Sequence, residues 1–431
     1  MTLHKKRLAM MATASSMVLA LSVSGASAQS VTLSYLTTNQ PDVVAVAEAV
    51  VAAYQEQNPD VRIELETRPG GSEGDNIVKT RLATGQMADV FTHNSGSLFQ
   101  AINPVQNLIP LTNEPWQANI EDSFKSVVMA NGDVYGAPQA PAQGGGILYN
   151  IPIYEELGLS VPKTWDEFMA NNEKIKAAGK VAVIQTYGDT WTSQLFVLAD
   201  YYNVHAAAPE FAEEYTAGTA KYATTPVAAK GFERLQQVGE GGFLNEDFGA
   251  AKFTDGVRMV ATGEGAHYPM LTFAVGTVNE TYPEHINDVG FFAQPGDDPD
   301  NNGLTVWMPG GVYIPKTVSN EQAAKDFVAF LASPEACEIR NETVGATGPY
   351  MIKGCLPPAD VPPAVSDMLP YFGDGGHNGP ALEFLSPVKG PSLEQITVEV
   401  GSGIRDAASA AALYDEDVRK QALQLGLPGW N

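Results

Sequence analysis

The hydrophobic pattern of residues 31–91 changes period at each turn of the chain. Val31, Leu33 and Tyr35 alternate with polar residues, which predicts a strand. From Pro41 to Gln57 the apolar positions Val43, Ala47, Val50 and Tyr54 recur at helical spacing. Pro41 suits the first helical turn, and Asn58-Pro59 ends the pattern. VRIELE (Val61–Glu66) alternates again. The loop RPGGSEGD then leads to a helix over Asn76–Ala83, and Ala88–Phe91 reads as the next strand. Strand, helix, strand, helix, strand begins an open, mostly parallel sheet. Ligands of such sheets lie beyond the carboxyl ends of the strands, here Thr37–Gln40, Thr67–Pro69 and His93–Gly96. Asn39, Gln40, Asn94 and Ser95 are the candidate hydrogen-bonding residues at those ends. The plainer reading is turn chemistry, since Asn, Ser and Gly also make turns.

The α/β rhythm pauses at VYGAPQAPAQGGGILYN (Val134–Asn150), which has four glycines, two prolines and no acid, base or thiol. It predicts a crossing between two lobes, its glycines supplying hinge flexibility and its backbone lining a cleft. Beyond it, Thr164 and Glu167 form a capping box. VAVIQT (Val181–Thr186) is a buried strand, and helices follow over Thr192–Tyr202 and Thr225–Gly239. Strands are expected at Ala266–Met270 and Val289–Pro295, and a helix over Asn320–Leu331. The chain returns near 266–270 and leaves again near Gly310-Gly311. This predicts a first lobe of 29–140 with 268–310, and a second of 141–267 with 311–431.

Composition narrows the setting. A basic start (His4–Arg7), an apolar run (Leu8–Val23) and Ala26-Ser27-Ala28 read as a secretory signal over residues 1–28, cleaved before Gln29. As a transmembrane anchor the run is short and broken by serines and a threonine. No cysteine lies near the cleavage point to carry a lipid, so a soluble periplasmic product is expected. Loss of Lys5, Lys6 and Arg7 leaves 22 basic against 50 acidic residues, a formal charge of −28. Such a chain repels nucleic acid, which wants clustered Lys and Arg. The two cysteines, Cys337 and Cys355, suit a disulfide in an oxidising compartment, against the alternative of two buried thiols. They make no zinc site, the histidines show no close ligand spacing, and DDPDNNG (Asp297–Gly303) departs from a calcium loop at Pro299. No metal is expected.

Four segments, in order, carry a resemblance: YGAPQAPAQGGGILYN, PKTWDEF (Pro162–Phe168), GEGAHYPM (Gly263–Met270), and VGFFAQPG followed by PGGVYIPKTVSNEQAAKDFVAFLASPEA. Together they resemble family 1 extracellular solute-binding proteins of ABC transporters, the maltose-binding-protein-like group, from about Val31 to Ala336. The resemblance implies an α/β periplasmic-binding-protein fold, with two lobes, a multi-crossing hinge and an interlobe ligand cleft. It implies a monomer that closes on a ligand, most often an oligosaccharide, and delivers it to membrane permease subunits. It implies no catalysis and no cofactor. His267 and Tyr268 depart from the small or apolar residues common on the return strand.

A sugar site needs neutral amides, carboxylates that accept hydroxyl hydrogen bonds, and aromatic faces for the C–H side of the ring. Asn39, Gln40, Asn94, Ser95 and Gln143 supply polar groups at strand ends and in the crossing. Trp191, Tyr268 and Trp307 are candidate platforms, with Gly310 and Gly311 beside the last. Tyr350 and Phe384 are candidates from the final segment. Trp165 is assigned to packing and Asp89 to a structural role. A glycoside hydrolase would need two carboxylates at a defined separation, and the order of the motifs around hinges argues against it. A polyamine site would set acids beside the aromatic faces, whereas the crossing segments are nearly neutral.

Overall fold

The computed structural model describes residues 31–373 and 375–430, so the expected signal sequence lies outside the described residues. The chain runs β1 (Val31–Thr38), α1 (Pro41–Gln57), β2 (Val61–Arg68), α2 (Gly71–Thr84) and β3 (Val90–His93). After short helices and a hairpin come β4 (Ala137–Pro138), β5 (Gln143–Asn150), α3 (Trp165–Ala177) and β6 (Val181–Val183). A helical stretch precedes β7 (Gly265–Leu271), α4 (Ala274–Thr281), β8 (Val289–Ala293), β9 (Leu304–Trp307) and β10 (Gly311–Tyr313). The elements used below are completed by α5 (Pro334–Val344), β11 (Asn378–Pro380) and α6 (Leu393–Gly401).

Local chemistry accounts for many boundaries. α1 starts at Pro41 and buries Ala47, Val50 and Tyr54, three of the four periodic positions; Val43 turns towards the cleft instead. α3 carries the expected capping box, with both reciprocal bonds between Thr164 and Glu167. α2 begins at Gly71, five residues before the expected Asn76. Gly70 in the cap position offers no side chain, so the loop gives no local start signal.

The two sheets have separate cores. In the first, β1 lies between β2 and β3 in parallel register, and β10 joins β3 antiparallel, with β4 outside it. In the second, β5 is central. One edge pairs with β7 through residues 145–149; the other pairs with β8 and then β9. The lobe assignment made from sequence is therefore corrected. β7, β8 and β9 belong to the second sheet, not the first, and β10 belongs to the first, not the second. The return near 266–270 resembles a crossing in sequence, yet its hydrogen bonds tie it to β5. The crossings fall at 139–142, within the glycine segment, at 308–310, beside Gly310-Gly311, and in the stretch after α5. α5 packs on α1 in the first lobe, whereas α6 packs in the second.

The segment Val134–Asn150 does contain a crossing, at 139–142, but its glycine triplet is not the flexible hinge expected. Gly144–Gly146 sit within β5, buried and paired on both edges. They are glycine because neighbours arrive too closely for a Cβ. One on Gly145 would lie 2.1 Å from the Trp307 ring, and one on Gly146 would lie 2.3 Å from the Phe292 carbonyl oxygen. Among the described residues no helix is long and apolar enough to cross a membrane.

Cys337 and Cys355 form a disulfide, joining α5 to the loop that follows it across 18 residues. Reducing it in the intact protein should cost about 3 kcal/mol of unfolding free energy, read as a lower denaturant midpoint. His267 on β7 is buried, with Nε2 2.7 Å from the Tyr154 hydroxyl and Nδ1 2.8 Å from Asn172 Oδ1. Burial lowers its pKa to about 3, so the folded chain holds it neutral. Unfolded histidine titrates near 6.5, so the unfolded state takes up the proton first. This contribution to stability is complete above pH 6.5 and is lost as pH falls from there towards 3. His267→Asn should flatten that part of the stability–pH curve; an unchanged slope would contradict the assignment.

Candidate functional site

The carboxyl ends of β1, β2 and β3 open into a cleft of about 1400 Å³, measured out to its solvent mouth. The first lobe contributes Gln40, Asp42, Arg68 and Asn94. The crossings contribute Gln139, Met308 and Gly310, and Gln143 and Trp307 stand beside them at the ends of β5 and β9. The second lobe contributes Trp191, Gln194, Phe273, Glu383, Lys389 and Glu394.

Two indoles face this space and both are held rigidly. Trp307 stands at the end of β9 opposite Gln143. Its ring lies on the bare backbone of Gly145, and its Nε1–H donates to Glu383 Oε1 at 2.7 Å. The other oxygen of Glu383 accepts from Lys389 at 2.9 Å. Trp191 sits in a single helical turn after β6, packed against Phe253 and Phe273 with ring centres 5.4 and 6.1 Å away. Facing it from the first lobe is Gly70-Gly71. Gly71 has φ +66, and a Cβ there would lie 2.8 Å from the Trp191 Cβ.

The charged groups are mostly engaged by the protein. Glu394 accepts from the Ser72 amide and hydroxyl and from Thr190. Asp42 is buried; desolvation raises its pKa, partly opposed by the Thr277 hydroxyl and by Arg340. Desolvation likewise lowers the Arg340 pKa, and its guanidinium donates to the Gln139 carbonyl at 2.6 Å. Arg68 donates to the carbonyls of Pro69 and Thr92. His93 lies 3.5 Å from Asp75, but burial lowers its pKa to about 4, so near neutral pH this contact is not an ion pair. Two amide oxygens, Gln40 Oε1 and Gln194 Oε1, are buried without a partner, on residues that line the cleft.

The structure brings together Gln40, Asn94, Gln143, Trp191, Trp307 and Gly310. It does not bring the other candidates to the cleft. Asn39 is exposed outside it. Ser95 is buried and donates to the Pro309 carbonyl at 2.8 Å, tying the crossing to the sheet end. Tyr268 is buried, its hydroxyl 2.8 Å from Thr186 and its ring over Gly256. Gly311 is covered by the Tyr313 ring. Tyr350 hydrogen-bonds Asn341 at 2.8 Å and lines a smaller cavity behind Arg340. Phe384 packs over Gly96. Trp165 is a core residue bonded to Gln237, and Asp89 is held by Ser34 and Ser319. The crossing segments are nearly neutral, as expected, but the rest of the lining is charged. Arg68 was within reach, as the last residue of β2. Glu383, Lys389 and Glu394 come from the final hundred residues, where no sequence pattern marks them.

Two α/β lobes joined by several crossings, with a cleft at the strand ends between them, define the periplasmic-binding-protein class. The family model described as bacterial extracellular solute-binding protein matches residues 37–336, and the chain belongs to that family. It is 23% identical over 332 residues to the multiple sugar-binding protein of Streptococcus mutans, covering 75% of this chain and 76% of the relative. It is 24% identical over 304 residues to the melibiose/raffinose/stachyose-binding protein of Bacillus subtilis, covering 66% of each. Among solved structures, a chitin oligosaccharide binding protein superposes with a TM-score of 0.77 at 23% identity, over 92% of this chain and 100% of that one. The raffinose complex of the solute-binding protein RafE gives 0.75 at 21%, over 91% and 100%.

Gly145→Ala tests the seating of Trp307 without adding or removing a polar group. It should displace the indole and weaken ligand binding about tenfold, since an aromatic side chain's burial is worth ~1.5–3 kcal/mol and only part is lost. Isothermal titration calorimetry reads this; unchanged affinity would show that Trp307 is not a platform.

Proposed function

We propose that this chain is the periplasmic capture component of an ABC importer. It takes a carbohydrate between its lobes and presents the closed complex to membrane permease subunits. The observation that carries this reading is the pair of packed indoles, Trp191 and Trp307, in a cleft whose lining includes the amides of Gln40, Gln139, Gln143 and Gln194. Apolar faces with a few placed polar groups suit a sugar, which has C–H faces and a hydroxyl rim. The sugars for which the relatives are named, melibiose, raffinose and stachyose among them, support the same class.

The carboxylates in the cleft raise the polyamine alternative again. Their engagement argues against it. Glu383 is bonded by Trp307 and Lys389, Glu394 by Ser72 and Thr190, and Asp42 by Thr277. Arg68, Arg340 and Lys389 add positive charge to the same lining. Asp75, the remaining acid of the lining, has an oxygen without a hydrogen-bond partner, 3.5 Å from the His93 ring, but one such acid is not the pair that would flank a cation beside the indoles. The family and its sugar-binding relatives are binding proteins, which supports capture rather than cleavage of a glycosidic bond.

A thermal-shift screen with raffinose, chitotriose, xylotriose, monosaccharides and spermidine tests the proposal. A ligand at 100 times its dissociation constant should add about 2.7 kcal/mol of stability. A shift with a sugar that stays uncleaved supports carbohydrate capture; a shift with spermidine alone overturns it.

A further inference from the structure

The lobes meet across the cleft at a polar contact that neither lobe's own fold requires. α2 starts at Gly71, and its Gly70 cap supplies no side-chain acceptor, so its first amides lack a local partner. The partner comes from the other lobe. Glu394, in the first turn of α6, accepts the Ser72 N–H at 3.1 Å through Oε1 and the Ser72 hydroxyl at 2.9 Å through Oε2. Oε2 also accepts from Thr190 at 2.8 Å, the residue before Trp191. A carboxylate at a helix N-terminus is favoured by the helix dipole and by charge-assisted bonding. Gly71 completes the contact, because any side chain there would strike Trp191.

We infer that Glu394 is a positioning residue for ligand capture: it caps α2 across the cleft, holds the lobes closed and seats Trp191. Opening the lobes breaks the cap and returns the α2 amides to water. Closure therefore has a contribution that needs no ligand, and a bound ligand is released more slowly because the cap must break first. The effect on ligand release rests on the capture reading above; the effect on closure does not.

The test uses the full chain without ligand, as wild type, Glu394→Gln and Ser72→Ala. Glu394→Gln keeps the side-chain shape and removes the charge. Hydrogen exchange of the segment 70–75 should be roughly tenfold faster in Glu394→Gln, the factor that 1.4 kcal/mol of lost closure would give. Small-angle scattering should show a larger radius of gyration. Ser72→Ala should shift both readouts in the same direction by less. With raffinose or chitotriose as probe, Glu394→Gln should raise the dissociation rate, and raise the association rate too as the open form that admits ligand becomes more populated. Unchanged exchange and scattering in ligand-free Glu394→Gln would overturn the inference. So would a loss of sugar affinity with both readouts unchanged, which would make Glu394 a direct ligand contact. Failure of every sugar to bind would count against carbohydrate capture alone, because the ligand-free readouts still decide the cap.

Discussion

The second lobe depends on a strand whose middle carries no side chains. β5 is paired along both edges, and its three glycines let aromatic and sulfur side chains lie against bare backbone. The constraint is steric rather than conformational: it concerns distance, since each glycine is in an ordinary extended strand. Because β5 is locked, Trp307 opposite its start is locked too, and the cleft inherits a fixed aromatic face. The chain passes between the lobes outside the sheets, at 139–142, at 308–310 and after α5, and even there the Gln139 amide donates to the Gly310 carbonyl while Ser95 and Arg340 bind the backbone.

The charges in the cleft follow from the cost of burial. An unpaired charge taken out of water is expensive, so groups lining a closed site are matched or hydrogen-bonded. Here Glu383 is matched by Lys389 and an indole N–H, and Arg68 and Arg340 by backbone carbonyls. The result is a set of oriented dipoles inside a chain of formal charge −25, rather than an extension of its acidic surface. Net charge describes the outside of this molecule; the lining of the cleft is a separate electrostatic environment.

Much of the first lobe was legible in the chain. The alternation of β1 and β2, the period of α1 and the capping box of α3 are short-range signals, set by backbone geometry and by contacts within four residues. The rule that ligands lie at strand ends found Gln40 and Asn94 for the same reason. Asn39 shares that neighbourhood and faces solvent, because adjacent residues at a strand end point in different directions. Tyr268 was placed in the cleft by its sequence neighbours but lies behind the sheet, over Gly256.

What the sequence by itself determined is many of the elements and their order, those of the first lobe above all: local periodicity, caps and turn residues act over a few positions and need no partner. What only the tertiary structure decided is which sheet each strand joins and which distant groups meet. β7 and β10 changed lobes because strand pairing is a choice among edges separated by more than a hundred residues. Glu394 reached Ser72, and Trp307 reached Gly145, because folding brought together surfaces whose complementarity leaves no trace in local pattern.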